Sequence, residues 1–291
     1  HPEGEYAHWL GVSSESDANQ CRELLSSGVD CLIVDHYALS RRWHQSMRAV
    51  AEKILVIDDL ADRAFDCDLL LNQNLTPGMP ETYRELVPGH CQLMLGPGFA
   101  LLRDEFVSQR ESCVPRAAHG KRVFVFMGAA DQPNVTEKVV DALTAFASDE
   151  VEATVLVGAS NHNSERIKAL CKGAENLSYL THTDTMAALL GQADIAVGAG
   201  GTTTWERCVL GLPSILVTLA ENQRTNCEQA HALGAGIHVG WADAVTSRVL
   251  KDALSRLLED SEAWAEMSFC ASELVDGQGV EKVIRAIFGE S

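Results

Sequence analysis

Three short tracts carry residue types suited to holding a phosphorylated ligand. In Gly198-Ala199-Gly200-Gly201-Thr202-Thr203-Thr204-Trp205-Glu206, glycines let the backbone approach a ligand, and successive amides ahead of a helix make a pocket for pyrophosphate. Thr202 and Thr203 add hydroxyl donors, and Glu206, in the opening part of the helix, is placed to accept from two vicinal ribose hydroxyls. The plainer alternative is a glycine turn with a threonine N-cap. Thr218-Leu219-Ala220-Glu221-Asn222-Gln223, with Asn226 and Gln229 beyond it, offers carboxamides that donate to and accept from sugar hydroxyls without adding charge. Asn222 could equally cap its helix. The third turn holds Gly128, Asp131 and Asn134, where Pro133 or Asn134 suits a helix start.

Acids gather earlier in the chain. Asp35-His36-Tyr37 and Asp58-Asp59 each close an apolar run. His36 could act as a base with Tyr37 orienting a substrate, or be a buried histidine bonded to the neighbouring acids. Asp58, Asp59, Asp62, Asp66 and Asp68 match no EF-hand spacing, so they read as solvated or capping acids rather than a cation site.

Such turns need strands to deliver them. The chain alternates short apolar runs with helical stretches, and runs without polar alternation mean strands buried on both faces of a parallel sheet. Strands are expected at Cys31–Asp35, Lys53–Asp58 and Asp68–Leu71, with a helix over Arg41–Ala51. After a linker at Glu111–Gly120, six more are expected: Arg122–Met127, Ala153–Val157, Leu177–Leu180, Asp194–Val197, Ser214–Val217 and Ile237–Val239. Helices follow at Thr246–Leu258, Ser261–Leu274 and Val280–Phe288. The expected fold is α/β, with two Rossmann-like doubly wound domains. They are residues 1–112, the sugar-facing and catalytic side, and residues 121–291, the nucleotide side with the terminal helices. With about three strands and no opening glycine turn, the first domain reads as truncated.

Composition sets the class. The 291 residues are 46% hydrophobic and 22% charged, as in an ordinary globular chain. A formal charge of −18 makes nucleic acid and anionic membranes poor partners, so an anion must be held locally by backbone amides. Nine widely spaced cysteines without a C-x-x-C argue against a zinc knuckle and for reduced, buried thiols. The expected compartment is the cytoplasm, with no stable membrane association. Oligomeric state is left open.

At these residues the chain resembles a known family. Asp35-His36-Tyr37, Val56–Arg63, Cys67–Asn74, Leu95-Gly96-Pro97 with Ala100–Arg103, Gly198–Arg207 and Ala220–Gln223 look like the UDP-2,4-diacetamido-2,4,6-trideoxy-β-L-altropyranose hydrolases of pseudaminic acid biosynthesis. The resemblance runs from Trp9-Leu10-Gly11-Val12 to Asp276-Gly277-Gln278-Gly279. It implies the GT-B fold, a small-molecule UDP-sugar substrate, release of UDP by water, and neither metal nor other cofactor. Gly200, Gly201, Thr202 and Thr203 would then stabilise the departing diphosphate, Glu206 would bind the ribose, and Asn222 and Gln223 would contact sugar and phosphate. The backbone at Thr183 would read the uracil.

The sequence also departs from the family. Gly128-Ala129-Ala130-Asp131 stands where the family has Gly-Gly-x-Asp. The family's opening strand, glycine loop and water-activating histidine have no counterpart, since His1 precedes a tract that belongs after that loop. A UDP-sugar glycosyltransferase of similar fold and a UDP-binding protein without turnover remain alternatives.

Overall fold

A computed structural model describes residues 6–112 and 120–289. His1, Cys113 and most of the expected linker lie outside the described residues. In chain order, a 3₁₀ turn at Ala7–Leu10 precedes α1 (Ser14–Leu24), β1 (Val29–Val34), α2 (Arg41–Met47), β2 (Ala51–Ile57), β3 (Leu69–Asn72), α3 (Met79–Leu86) and β4 (Gln92–Leu95). After a second 3₁₀ turn at Pro97–Phe99 come α4 (Asp104–Ser112), β5 (Arg122–Phe126), α5 (Val135–Leu143), β6 (Glu152–Leu156), α6 (Ser164–Lys172), β7 (Leu177–Leu180) and α7 (Met186–Gln192). The remainder is β8 (Ile195–Ala199), α8 (Thr203–Val209), β9 (Ser214–Thr218), α9 (Glu221–Ala232), β10 (Ile237–Trp241), α10 (Ser247–Glu259), α11 (Ser261–Leu274) and α12 (Gly279–Phe288).

The chain forms two compact units. One ends at Leu101 and takes in the chain again from Gln278; the other runs Leu102–Gly277. In the first, four parallel strands stand in chain order, β1-β2-β3-β4. One face of this sheet packs Val34, Ile54, Val56 and Leu70 against Trp43, Met47, Phe65 and Tyr83. A second cluster joins Leu55, Leu69, Leu71 and Met94 to Val283 and Ile287 of α12.

The second unit holds six parallel strands in the order β10-β9-β8-β5-β6-β7. Every residue of β8 and β9 is buried, which is why both read as unbroken apolar runs. Numbered within the unit, the sheet runs 3-2-1-4-5-6 from β7, so the strand order reverses between β5 and β8. Ligands of open α/β sheets bind outside the carboxyl ends of the strands at such a point.

Three expectations need correcting. Helix α2 stops at Met47, where the Val50 amide closes a turn on the Met47 carbonyl at 2.9 Å, and Ala51 already opens β2. A fourth strand, β4, follows the three that were expected; it is four residues long between Gly89 and Gly96, too short for periodicity to reveal. The division at the linker also fails for two helices. Helix α4 belongs to the unit that follows it, and α12 to the unit that opens the chain. Its apolar stripe fits either core by pattern alone, but Gly279 opens it so closely on the loop after β4 that an added Cβ would lie 2.2 Å from the Ala100 oxygen.

No helix among the described residues is long and apolar enough to cross a membrane. The eight described cysteines are free thiols; Cys67, Cys171, Cys208 and Cys227 are buried, and the other four are only partly so. Burial pushes the Cys208 thiol up to about 12, so it stays protonated.

Candidate functional site

The glycine tract leaves β8 at the point where the strand order reverses. Gly198 sits so tightly that a Cβ would fall 1.9 Å from Arg207 Nη1, and one on Gly200 would fall 2.1 Å from Cys227 Sγ. Both positions therefore require glycine. Arg207 Nη2 donates to the Ala199 carbonyl at 2.8 Å and to Thr204 Oγ1 at 3.1 Å. Asn226 Nδ2, from α9, donates to the Gly200 carbonyl at 2.9 Å. The Gly201 and Thr202 carbonyls accept from the Thr204 and Trp205 amides at 2.9 and 3.0 Å. Four consecutive carbonyls are thus tied down, while the N–H groups of residues 200–203 take no acceptor among the described residues. Thr202 stands at the N-cap position in helical conformation, and its side chain makes no cap bond. The threonine-cap alternative is not what the chain adopts.

Glu206 is mostly buried, with 14% of its side chain exposed, and faces Arg103 Nη2 at 3.4 Å. Burial raises its carboxyl pKa, and the Arg103 charge works against that rise. Gln223 Oε1 accepts from the Leu219 amide at 3.1 Å, and its Nε2 would lie 3.6 Å from a Cβ on Gly201. Asn222 is the second residue of α9 and exposed; the N-cap is Ala220, so Asn222 does not cap. Asn226, read from sequence as a sugar ligand, is only 2% exposed and spent on the glycine turn.

After β5, Gly128 takes φ +88°, and Asp131 and Asn134 take φ +40° and +56°. Left-handed backbone costs a non-glycine residue of the order of 1 kcal/mol and persists only where surroundings enforce it. Here the enforcement is visible: buried Asp131 accepts from the Val135 and Thr136 amides at 2.9 and 2.8 Å and from Thr136 Oγ1 at 2.6 Å. Asn134 stands at the N-cap position of α5, as expected, but its side chain makes no cap bond; Asp131 supplies the capping carboxylate. Asn134 Nδ2 donates to Glu137 Oε2 at 2.6 Å. Ala129 is pressed by the next loop, for a Cβ on Gly158 would meet its carbonyl at 2.2 Å. Between β7 and α7, Thr183 Oγ1 accepts from the Thr185 amide at 3.0 Å.

The first sheet assembles a separate polar group at the carboxyl ends of β1, β2 and β3. Tyr37 donates its hydroxyl to Asp59 Oδ1 at 2.6 Å, and Asn74 Nδ2 donates to Asp59 Oδ2 at 3.2 Å. Burial, then the Asp59 carboxylate, pushes the Tyr37 phenol above its ordinary range. His36 is half-buried and, among the described residues, bonded to no acid. Its Nδ1 accepts from the Ala38 amide at 3.1 Å, which places the proton of the neutral ring on Nε2 and makes that nitrogen a donor rather than a base. Asp58 is buried, not solvated: it pairs with Arg63 at 2.8 Å and accepts from Tyr83 and the Ala61 amide. Asp66 and Asp68 bind Arg48 at 2.7 and 2.5 Å.

Comparison with known proteins places this architecture. Residues 122–283, more than half of the chain, match the glycosyltransferase family 28 C-terminal domain. The chain belongs to that family. Spore coat polysaccharide biosynthesis protein SpsG of Bacillus subtilis is 23% identical over 201 residues, 69% of this chain and 59% of SpsG. The UDP-2,4-diacetamido-2,4,6-trideoxy-beta-L-altropyranose hydrolase of Campylobacter jejuni is 23% identical over 215 residues, 74% of this chain and 75% of the relative. Among solved structures, the UDP-GlcNAc 2-epimerase of Neisseria meningitidis bound to UDP-GlcNAc superposes with a TM-score of 0.68 at 12% identity, over 100% of this chain and 84% of that one. The fold is GT-B, as the resemblance implied.

Within the family 28 domain, the structure gathers Gly200, Gly201, Thr202, Thr203, Glu206 and Gln223 around one turn. Asp131 and Asn134 serve their own loop. Sequence reading passed over Arg207 and the buried role of Asn226. An arginine directly ahead of the apolar run Cys208 to Leu210, in a helix that buries most of its residues, was the signal available for the first.

Proposed function

We propose that this chain hydrolyses a UDP-linked 2,4-diacetamido-2,4,6-trideoxy sugar to the free sugar and UDP, in pseudaminic acid (nonulosonate) biosynthesis. The observation carrying this reading is the run of unspent amides at residues 200–203, with Glu206 beside it, where the sheet order reverses. Water attacks the anomeric carbon, the bond to the diphosphate oxygen breaks, and UDP leaves with the electron pair. Charge grows on that oxygen as the bond lengthens. The Gly200 and Gly201 amides and the Thr202 and Thr203 hydroxyls donate to it from fixed positions, needing no reorganisation when the charge appears. Glu206 accepts from the ribose hydroxyls, the Thr183 backbone meets the uracil, and Asn222 and Gln223 bond sugar and phosphate. In the first unit, Tyr37 is a neutral phenol held by Asp59, suited to donating to a sugar hydroxyl rather than to taking a proton.

The name of the Campylobacter relative supports the hydrolase over other GT-B chemistries. Family membership favours a second reading, transfer of the sugar to an acceptor. A coupled assay for UDP decides between them: release with substrate alone supports hydrolysis, and release only with an added acceptor supports transfer. Glu206→Ala is expected to weaken UDP binding by about 1–3 kcal/mol, read by titration calorimetry. Unchanged affinity would sink the ribose assignment.

A further inference from the structure

We infer that Arg207 and Asn226 are positioning residues that aim the Gly200 and Gly201 N–H groups at the nucleotide's diphosphate. The inference rests on the nucleotide reading above and deepens it. In a trans peptide the carbonyl and the N–H point in opposite directions. The carbonyl held by Arg207 belongs to the Ala199–Gly200 peptide, and the one held by Asn226 to the Gly200–Gly201 peptide. Fixing these two oxygens inward therefore turns the Gly200 and Gly201 hydrogens outward, and it keeps two repelling oxygens away from an anion. Helical bonding takes over this task only from the Gly201 carbonyl onward.

Arg207 is more than this task needs. It is 3% exposed, no carboxylate lies within ion-pair distance among the described residues, and its Nε has no partner. A buried charge is costly and is normally paired, and the opposite charge that acts on Arg207, the Glu206 carboxylate, stands beyond ion-pair distance. Its place, directly beneath Gly198, puts it under a turn that would receive an anion. The diphosphate adds counter-charge to that of Glu206.

The test compares UDP with uridine, which has the same base and ribose and no phosphate. In the intact chain, Asn226→Ala and Arg207→Lys are each expected to cut UDP affinity about tenfold or more while leaving uridine affinity unchanged. Glu206→Ala should weaken both ligands alike. A merely structural role would lower UDP and uridine together, and that result overturns the proposal. Should the variants not fold, the wild-type chain with ¹⁵N-glycine gives the same answer by NMR. The Gly200 and Gly201 amide protons must move downfield with UDP and stay in place with uridine, and unmoved protons refute the assignment. Absence of UDP binding by the wild type would instead overturn the nucleotide reading itself.

Discussion

Asp131 and His44 show how single buried side chains divide their work between support and function. The Asp131 carboxylate was expected at the ligand, yet three donors of its own helix occupy it. Removing a cap and leaving Thr136 Oγ1 unsatisfied costs about 2–3 kcal/mol together. Asp131→Ala is expected to lower the urea midpoint accordingly, without changing the ratio of UDP to uridine affinity. His44 is fully buried against Trp43 and Phe65, and burial, then Arg63, lowers its pKa to about 4 from 6.5. Between those values the unfolded chain binds the proton and the folded chain does not, so stability rises with pH. The contribution is complete above pH 6.5 and is lost as the pH falls to about 4, amounting to about 3 kcal/mol. Urea unfolding of the wild type and of His44→Gln across that window should show the steeper acid loss in the wild type. Residue types were legible in the glycine tract because the close approaches at Gly198 and Gly200 leave little room for a side chain there. The Asp131 cap was not, because it reaches over a left-handed Asn134 that no propensity anticipates.

Elements were legible where burial forces an unbroken apolar run. Expectation placed strands at Ser214–Val217 and Ile237–Val239, and the chain forms them at Ser214–Thr218 and Ile237–Trp241. What escaped was partnership: an amphipathic stripe states that a helix buries one face, not which core receives it. Helix α12 makes the point. Val283 and Ile287 complete the cluster around Leu55, Leu71 and Met94, and Lys282 donates to the Gly98 carbonyl at 2.9 Å. Ile287→Ala should cost about 2–4 kcal/mol, appearing as an earlier unfolding step of the unit containing β1 to β4. Near-UV and tryptophan signals would locate the loss, since Trp43 lies in that unit and Trp205 and Trp264 in the other. Simultaneous weakening of both units would contradict the assignment of α12 to the first.

At the scale of the whole molecule, a charge of −18 opposes any phosphorylated ligand that approaches through solution. Screening weakens that repulsion: the Debye length falls from about 30 Å at 0.01 M to about 8 Å at 0.15 M. The association rate of UDP is therefore expected to rise with salt over this range, opposite in sign to an electrostatically steered ligand. Stopped-flow measurement of fluorescence quenching would read it, and a falling rate would mean that the local field at the site dominates the approach.

The return of α12 to the first sheet also bears on the order in which the protein is made. Lys53 of β2 donates to the carbonyl of Ile287, a contact separated by 234 residues. A ribosome must add more than two hundred residues after β2, as far as α12, before that sheet can be covered on its second face. The unit Leu102–Gly277 does not depend on α12 and is free to close its core first. During synthesis, Leu55, Leu69, Leu71 and Met94 thus stay open to water longest. Those are the side chains a chaperone would find, and the ones from which a stalled or shortened chain would aggregate.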